Sequence, residues 1–450
     1  MRTNKRFSLS TTQVILLSFL LLILVGSVLL ALPVSAADGV AVPYIDALFT
    51  ATTATCVTGL VTLTTATAWS VFGQAVILVL IQVGGLGVIT VISYLLILTH
   101  RKLKLSDHLL LQDAFNLNSL SGLAAFVKKV VCGTLIVEGV GAALYMLVFI
   151  PQFGAKGIWM AVFNAVSAFC NAGMDIVATD SLCQYATHPL INGVTAALII
   201  LGGLGYIVWW DVLRVIRDPH RRGWRYLTLH SKIALSATAI LIIGGGAALF
   251  AAEYSNPATI GNMSLGEQIQ ASLFQSVTTR TAGFAALPQE NLTNAGSLIS
   301  MLLMFVGGSP VGTAGGIKTV TLAVLVASAF STITGRQETT LFHRRLPDSA
   351  VRKAVAVVGM SATILFLSTL LLCAVTDAPF MDIAYETVSA TATVGLTRSL
   401  TPLLSNAGKI VIIATMYLGR IGPISLAIAL GTHKKGVNSV KNPTEDISVG

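Results

Sequence analysis

Four short segments carry residues whose types and spacing suit one chemistry, the replacement of water around a cation. They are Thr55-Cys56-Val57-Thr58-Gly59-Leu60, Phe169-Cys170-Asn171-Ala172-Gly173-Met174, Thr279-Arg280-Thr281-Ala282-Gly283-Phe284 and Thr391-Ala392-Thr393-Val394-Gly395-Leu396. One glycine is common to all four, and Gly59, Gly173, Gly283 and Gly395 lie 114, 110 and 112 residues apart. Scattered turn glycines do not produce such a period. A cation entering low dielectric needs oxygen ligands in place of its water. Backbone carbonyls supply them without a formal charge that would trap the ion, and glycine permits the positive φ that aims successive carbonyls at one axis. The candidate ligands are the carbonyls of Val57, Thr58 and Gly59, of Asn171, Ala172 and Gly173, of Thr281, Ala282 and Gly283, and of Thr393, Val394 and Gly395.

Such a ring has to be held in a bilayer. Of 450 residues, 54% are hydrophobic and 10% charged, with a mean hydropathy of +0.81; soluble domains are about a quarter charged. Eight apolar stretches, 14–32, 72–98, 130–150, 190–216, 233–252, 298–330, 354–375 and 410–430, are suited to spanning a hydrocarbon core, which takes about 20 helical residues. Shorter stretches, 43–53, 159–169, 265–278 and 381–391, each precede a glycine segment. The shortest, at about 11 residues, rise only about 16 Å, so they enter the membrane without crossing it. Running inward, they turn their carbonyl-rich ends toward the site.

The expected fold is therefore an all-α polytopic membrane protein of four tandem, parallel span–pore helix–span repeats around a pseudo-fourfold pore. Residues 1–12 form a cytoplasmic N-terminus, 13–100 repeat 1, 101–220 repeat 2 with its preceding cytoplasmic connector, 221–335 repeat 3, 336–432 repeat 4 and 433–450 a cytoplasmic tail. The first stretch follows Arg2, Lys5 and Arg6 and ends near Val34-Ser35-Ala36, as a secretory signal does. Its apolar run is longer than the 7–15 residues of a signal core, so it reads as a span.

Charge follows this topology. Of 28 Lys and Arg, 22 lie in residues 1–12, 99–129, 211–232, 334–353 and 431–450, which places these connectors and both termini in the cytoplasm. The net +9 is thus topological rather than a sign of nucleic-acid binding. The alternate connectors carry ten acids, Asp38, Asp46, Asp175, Asp180, Glu253, Glu267, Glu290, Asp377, Asp382 and Glu386, against Lys156, Arg280, Arg398 and Lys409. They act either as an entrance that concentrates cations or as ordinary solvated loops. Five cysteines without metal-ligand spacing imply no disulfide framework.

The second stretch of each repeat carries another recurring pattern: Val83-Gly84-Gly85-Leu86-Gly87, Leu201-Gly202-Gly203-Leu204-Gly205, Val306-Gly307-Gly308-Ser309 and Leu418-Gly419-Arg420-Ile421-Gly422. Small residues at this spacing indicate close helix packing in lipid. In repeat 3 the pattern expands over 305–319, with Gly307, Gly308, Ser309, Gly312, Thr313, Ala314, Gly315, Gly316 and Lys318 around Pro310. That content breaks a helix, and broken backbone at membrane depth occurs only where it is buried in protein or lines a cavity. The segment is a candidate gate. It is a poor phosphate loop, because Ile317 stands where that motif has glycine.

These motifs together resemble the Trk/Ktr/HKT superfamily of potassium transporters over roughly 13–430, and most closely its bacterial KtrB-type or KtrD-type membrane subunits. A chain that starts at the first unit favours the Ktr branch. The resemblance implies a multi-pass protein of the bacterial plasma membrane, a homodimer in the lipid bilayer in which each protomer has its own pore, and a cytoplasmic ring of nucleotide-binding RCK subunits, with nucleotide bound only by that partner. Glycine at the first filter position, Gly59, implies potassium as the transported ion. Sodium remains an activator, a co-ion, or the cargo of an alternative sodium-coupled secondary transporter, although parallel repeats differ from the usual inverted ones. An intramembrane enzyme finds no catalytic constellation in the spans.

Four charges bear on this reading. Arg420 is an intramembrane arginine, a functional candidate by default; it is either an electrostatic barrier, as the resemblance implies, or the partner of Glu138 in an ion pair. Arg280 is expected to point behind the filter. Lys318 is expected to snorkel toward the cytoplasmic interface. Asp211, Arg214 and Arg217 read as interface anchors.

Overall fold

The computed structural model describes residues 11–99, 123–218, 220 and 223–422. The basic 1–10 segment, most of the connector before repeat 2 and the tail 433–450 lie outside the described residues. Within these limits the chain is helical, apart from one small hairpin of β1 (Thr340–Leu341) and β2 (Arg344–Arg345) that qualifies the all-α expectation.

Repeat 1 comprises α1 (Thr11–Leu30), α2 (Tyr44–Cys56), a single turn α3 (Thr65–Ala68), α4 (Val71–Leu86) and α5 (Val88–Leu98). Repeat 2 has α6 (Leu123–Phe153), α7 (Lys156–Cys170), α8 (Pro189–Leu204) and α9 (Tyr206–Arg217). Repeat 3 has α10 (Leu229–Glu253), α11 (Leu265–Thr278), α12 (Asn294–Phe305) and α13 (Thr319–Ile333). Repeat 4 has α14 (Asp348–Val375), α15 (Phe380–Ala392) and α16 (Asn406–Ile421). Among the described residues, α1, α6, α10 and α14 are individually long and apolar enough to cross a membrane. They begin the four repeats and expose leucine, valine, isoleucine and phenylalanine, as at Leu21, Leu147, Ile243 and Phe366, the surface a lipid-facing helix presents.

Beyond the break expected in repeat 3, two more of the eight stretches are not continuous. The second stretch breaks in repeat 1 at Gly87, with a 97° bend, and in repeat 2 at Gly205, with a 98° bend. Gly87 has φ 86° and ψ 131°, Gly205 φ 85° and ψ 140°, and Gly422, closing α16, φ 84° and ψ 140°. Only glycine visits that region cheaply, so the last glycine of the pattern ends a helix. The earlier one packs: a Cβ on Gly84, Gly202 or Gly419 would strike the carbonyl oxygen of Thr55, Phe169 or Thr391. The close packing expected in lipid is therefore packing onto the ends of the short helices. Pro43 stands at the N-cap position of α2.

Recurrent caps start the second stretches. Ser70, Thr293 and Ser405 accept from the amides of Gly73, Gly296 and Gly408, at 3.2, 2.9 and 3.2 Å, satisfying donors that a helix start leaves open. Polar contacts join each repeat to the next. Trp159 donates to Gln74 at 2.8 Å, the Leu182 amide to the Ala285 carbonyl at 2.9 Å, and Arg398 to the Gln289 carbonyl at 3.0 Å and to Ser297 at 2.7 Å. The first and last repeats meet through Lys409 and Asp46, 2.6 Å apart and largely buried. Removing one member of such a pair strands the other charge. Lys409→Met is expected to destabilise the protein by about 3 kcal/mol, read as a lower unfolding midpoint in detergent, with Lys409→Met/Asp46→Leu recovering most of the loss.

Candidate functional site

Each short helix ends by turning its backbone left-handed two residues before the glycine: Val57 has φ 54°, Asn171 59°, Thr281 62° and Thr393 52°. The glycines follow at φ 103°, 62°, 80° and 101°. Asparagine tolerates this region, but β-branched residues rarely enter it, so three of the four segments hold strain of the kind concentrated at functional sites. In α2, α7 and α15 the turn closes identically. The amides of Thr58, Ala172 and Val394 donate to the carbonyls of Thr53, Ser167 and Ser389 at 2.9, 2.8 and 2.8 Å. Hydroxyls of the same three residues then take a second amide: Gly59 to Thr53 at 2.9 Å, Met174 to Ser167 at 3.2 Å and Gly395 to Ser389 at 3.0 Å. Repeat 3 has Val277 at that position and closes differently, with the amides of Ala282 and Gly283 both donating to the Thr278 carbonyl.

These amides are spent on the scaffold, while the carbonyls are not. Among the described residues, none of the twelve segment carbonyls accepts a hydrogen bond. Buried carbonyls are normally paired, so a run of twelve free ones marks acceptors kept for something else.

The structure brings the four glycines together in chain order. A Cβ on Gly59 would meet the carbonyl oxygen of Ala172, one on Gly173 that of Ala282, one on Gly283 that of Val394, and one on Gly395 that of Thr58. Each glycine thus abuts the next segment, and the fourth returns to the first. All four line one cavity of about 540 Å³ that also carries Asp175, Asp180 and Glu290. Of the ten acids assigned to outward connectors, these three line it. Asp46 and Asp382 are in ion pairs, Glu253 and Glu386 bind threonine hydroxyls, and Glu267 completes the capping box of α11. Burial raises Asp175 to about 6 against hydrogen bonds from Ser181 and the Val177 and Ala178 amides.

Between the end of α12 at Phe305 and the start of α13 at Thr319, the segment forms no helix. It is anchored on several elements: Ser309 and Thr313 amides donate to Gly203 and Gly202 carbonyls at 2.7 and 3.1 Å, the Tyr206 amide to Val311 at 3.0 Å, and Thr319 to Gly308 at 3.0 Å. The Thr313 hydroxyl donates to Phe169, at the end of α7. Gly315 donates its amide to the Thr281 hydroxyl at 3.2 Å, and a Cβ there would strike the Thr393 hydroxyl. Gly307 pairs with Ile317, and Gly316 adopts φ 63°. The loop therefore lies against the glycine segments of repeats 3 and 4. Gly312 and Ala314 pack on repeat 2 near Gly205 and Gly203.

Arg420 donates to the Thr313 carbonyl at 2.6 Å and to the Gly84 and Gly85 carbonyls at 2.6 and 3.4 Å. The alternative ion pair with Glu138 is not made: Glu138 accepts instead from Gln82 at 3.3 Å and Cys170 at 3.8 Å. Lys318 does not snorkel; its ammonium turns back to donate to the Ala314 carbonyl. Arg280, 5% exposed, points to Thr238 on α10. Asp211 receives the Thr228 amide and hydroxyl, both at 2.9 Å, and Arg214, tying α9 to the start of α10. The supporting hydroxyls of Thr53, Ser167 and Ser389 escaped the sequence reading, although each stands six residues before its glycine.

Comparison with known proteins places the chain in a family. The model of the TrkH family, described as a cation transport protein, matches residues 4–438. The chain is 39% identical to the potassium/sodium uptake protein NtpJ of Enterococcus hirae, over 100% of this chain and 99% of that one. It is 37% identical to the Ktr system potassium uptake protein B of Bacillus subtilis, over 97% and 96%. The crystal structure of the potassium transporter TrkH from Vibrio parahaemolyticus superposes with a TM-score of 0.76 at 16% identity, covering 96% of this chain and 87% of that one, a likeness of fold.

Gly202 is the tightest test of the shared packing. Gly202→Ala should drive a methyl into the Phe169 carbonyl and cost about 1–3 kcal/mol by overpacking, measured as a lowered unfolding midpoint, whereas Gly193→Ala, with open space around it, should leave the midpoint unchanged.

Proposed function

Because the chain belongs to the TrkH family of cation transport proteins, we propose that it is a Ktr-type potassium uptake subunit that conducts K+ down its electrochemical gradient through a gated, channel-like pore. The observation that carries this reading is the cyclic contact of Gly59, Gly173, Gly283 and Gly395, with the twelve surrounding carbonyls free of donors among the described residues. Four parallel span–pore helix–span units stand around a pseudo-fourfold axis. K+ gathers in the acidic cavity, sheds water, and is held by uncharged oxygens that release it again. The amides bonded to Thr53, Ser167 and Ser389 fix those oxygens at a set spacing, so a smaller ion is less well solvated.

Below the filter, segment 305–319 is the gate and Arg420 its barrier: a guanidinium in low dielectric repels a passing cation. The working unit is a homodimer in the bacterial plasma membrane, with both termini cytoplasmic. A cytoplasmic RCK ring binds nucleotide and moves the gate. Relatives of this chain are uptake proteins rather than enzymes, in keeping with a transport role. Sodium uptake or sodium stimulation is the second reading, favoured by the potassium/sodium name of the Enterococcus relative.

Expression in a potassium-uptake-deficient bacterium should restore growth at low potassium, and Gly59→Ser should reduce K+ over Na+ discrimination by about tenfold, roughly 1.4 kcal/mol, in rubidium and sodium fluxes. Unchanged discrimination would remove the filter assignment. Arg420→Ala should raise the maximal uptake rate severalfold; an unchanged rate would remove the barrier.

A further inference from the structure

Glu138 is 4% exposed in the middle of the spanning helix α6. A carboxyl at that depth is costly and marks a functional site by default, yet the barrier described above does not use it by direct contact. Among the described residues no ion pair joins Glu138 to any cation. Its partners are Gln82 and Cys170.

Gln82 lies two residues before Gly84, whose carbonyl holds Arg420. The last turn of α4 is thus gripped on both sides, by Glu138 through Gln82 and by Arg420 through the Gly84 and Gly85 carbonyls. The turn also has no room to shift inward: Gly84 abuts the Thr55 carbonyl, and a Cβ on Gly85 would meet the Cys170 sulfur, which itself bonds Glu138. Through Arg420 and Thr313 the chain of contacts reaches the loop. It therefore touches all four repeats: Glu138 in the second, Gln82 to Gly85 in the first, Arg420 in the fourth and Thr313 in the third.

We propose that Glu138 is a positioning residue for Arg420, holding the last turn of α4 so that its carbonyls seat the guanidinium across the path of the ion. This rests on the barrier role of Arg420. A residue that merely filled a polar gap would affect folding without any dependence on Arg420, which gives the two roles different signatures.

The test is a double-mutant cycle in rubidium uptake, with each variant normalised to its membrane level. Glu138→Ala should raise the maximal rate about threefold, in the direction of Arg420→Ala, with half-saturation unchanged. In the Arg420→Ala background the same substitution should change the rate by less than about 1.5-fold, because contacting residues couple. Glu138→Gln, which keeps one acceptor oxygen, should fall between wild type and Glu138→Ala. Effects that multiply independently, or a Glu138→Ala rate equal to wild type, would overturn the positioning role while leaving the barrier intact. An Arg420→Ala rate equal to wild type would overturn both. If Glu138→Ala does not reach the membrane, Gln82→Ala breaks the same link, and the same outcomes decide.

Discussion

Carbonyl dipoles gathered at one place repel one another, and a protein that assembles twelve of them, none with a donor among the described residues, has to hold them from behind. Much of this fold can be read as the consequence. The short helices deliver the segments, left-handed residues turn the chain at their ends, and threonine and serine hydroxyls six residues earlier take the amides that would otherwise compete for those oxygens. The strain of β-branched Val57, Thr281 and Thr393 at positive φ is tolerable because neighbouring segments leave no other way to turn.

Packing between repeats serves the same constraint. Each segment glycine sits against the carbonyl of the next segment, so the four must be fixed together or not at all. The Asp46–Lys409 pair closes first repeat onto last, and the glycines of the second stretches let α4, α8 and α16 approach the ends of the short helices. Repeat 3 departs from the pattern. It lacks the supporting hydroxyl, and its extended loop lies against Thr281 and Thr393 instead. In the proposed transporter this makes the third unit the place where movement of a gate is felt by the filter.

The charges show how a buried position changes the meaning of a residue. Asp382 faces the Arg398 side chain at 2.7 Å, and Arg398 also binds carbonyls of repeat 3, so an acid that looked like part of an attracting surface is structural. Among the described residues Arg420 is satisfied by carbonyls alone, so none of them neutralises its positive charge by direct contact, as an electrostatic barrier requires.

The sequence by itself determined the repeat, the short helices and the glycines. Periodicity and hydropathy are local, and helix length against membrane thickness needs no tertiary knowledge; α11 spans Leu265–Thr278 as the apolar pattern indicates. It also exposed the break around Pro310, because proline and glycine act on the backbone wherever they stand. What it did not determine is which glycine of a Gly-Gly-x-Gly pattern packs and which one ends a helix, since Gly84 and Gly87 differ only in what the fold places beside them. Nor could it choose a partner for Arg420. Glu138 was an acid deep in another span, whereas the carbonyls that hold Arg420 become available only because helices break at Gly87 and in the 305–319 loop, and a free carbonyl has no side-chain signature in a sequence.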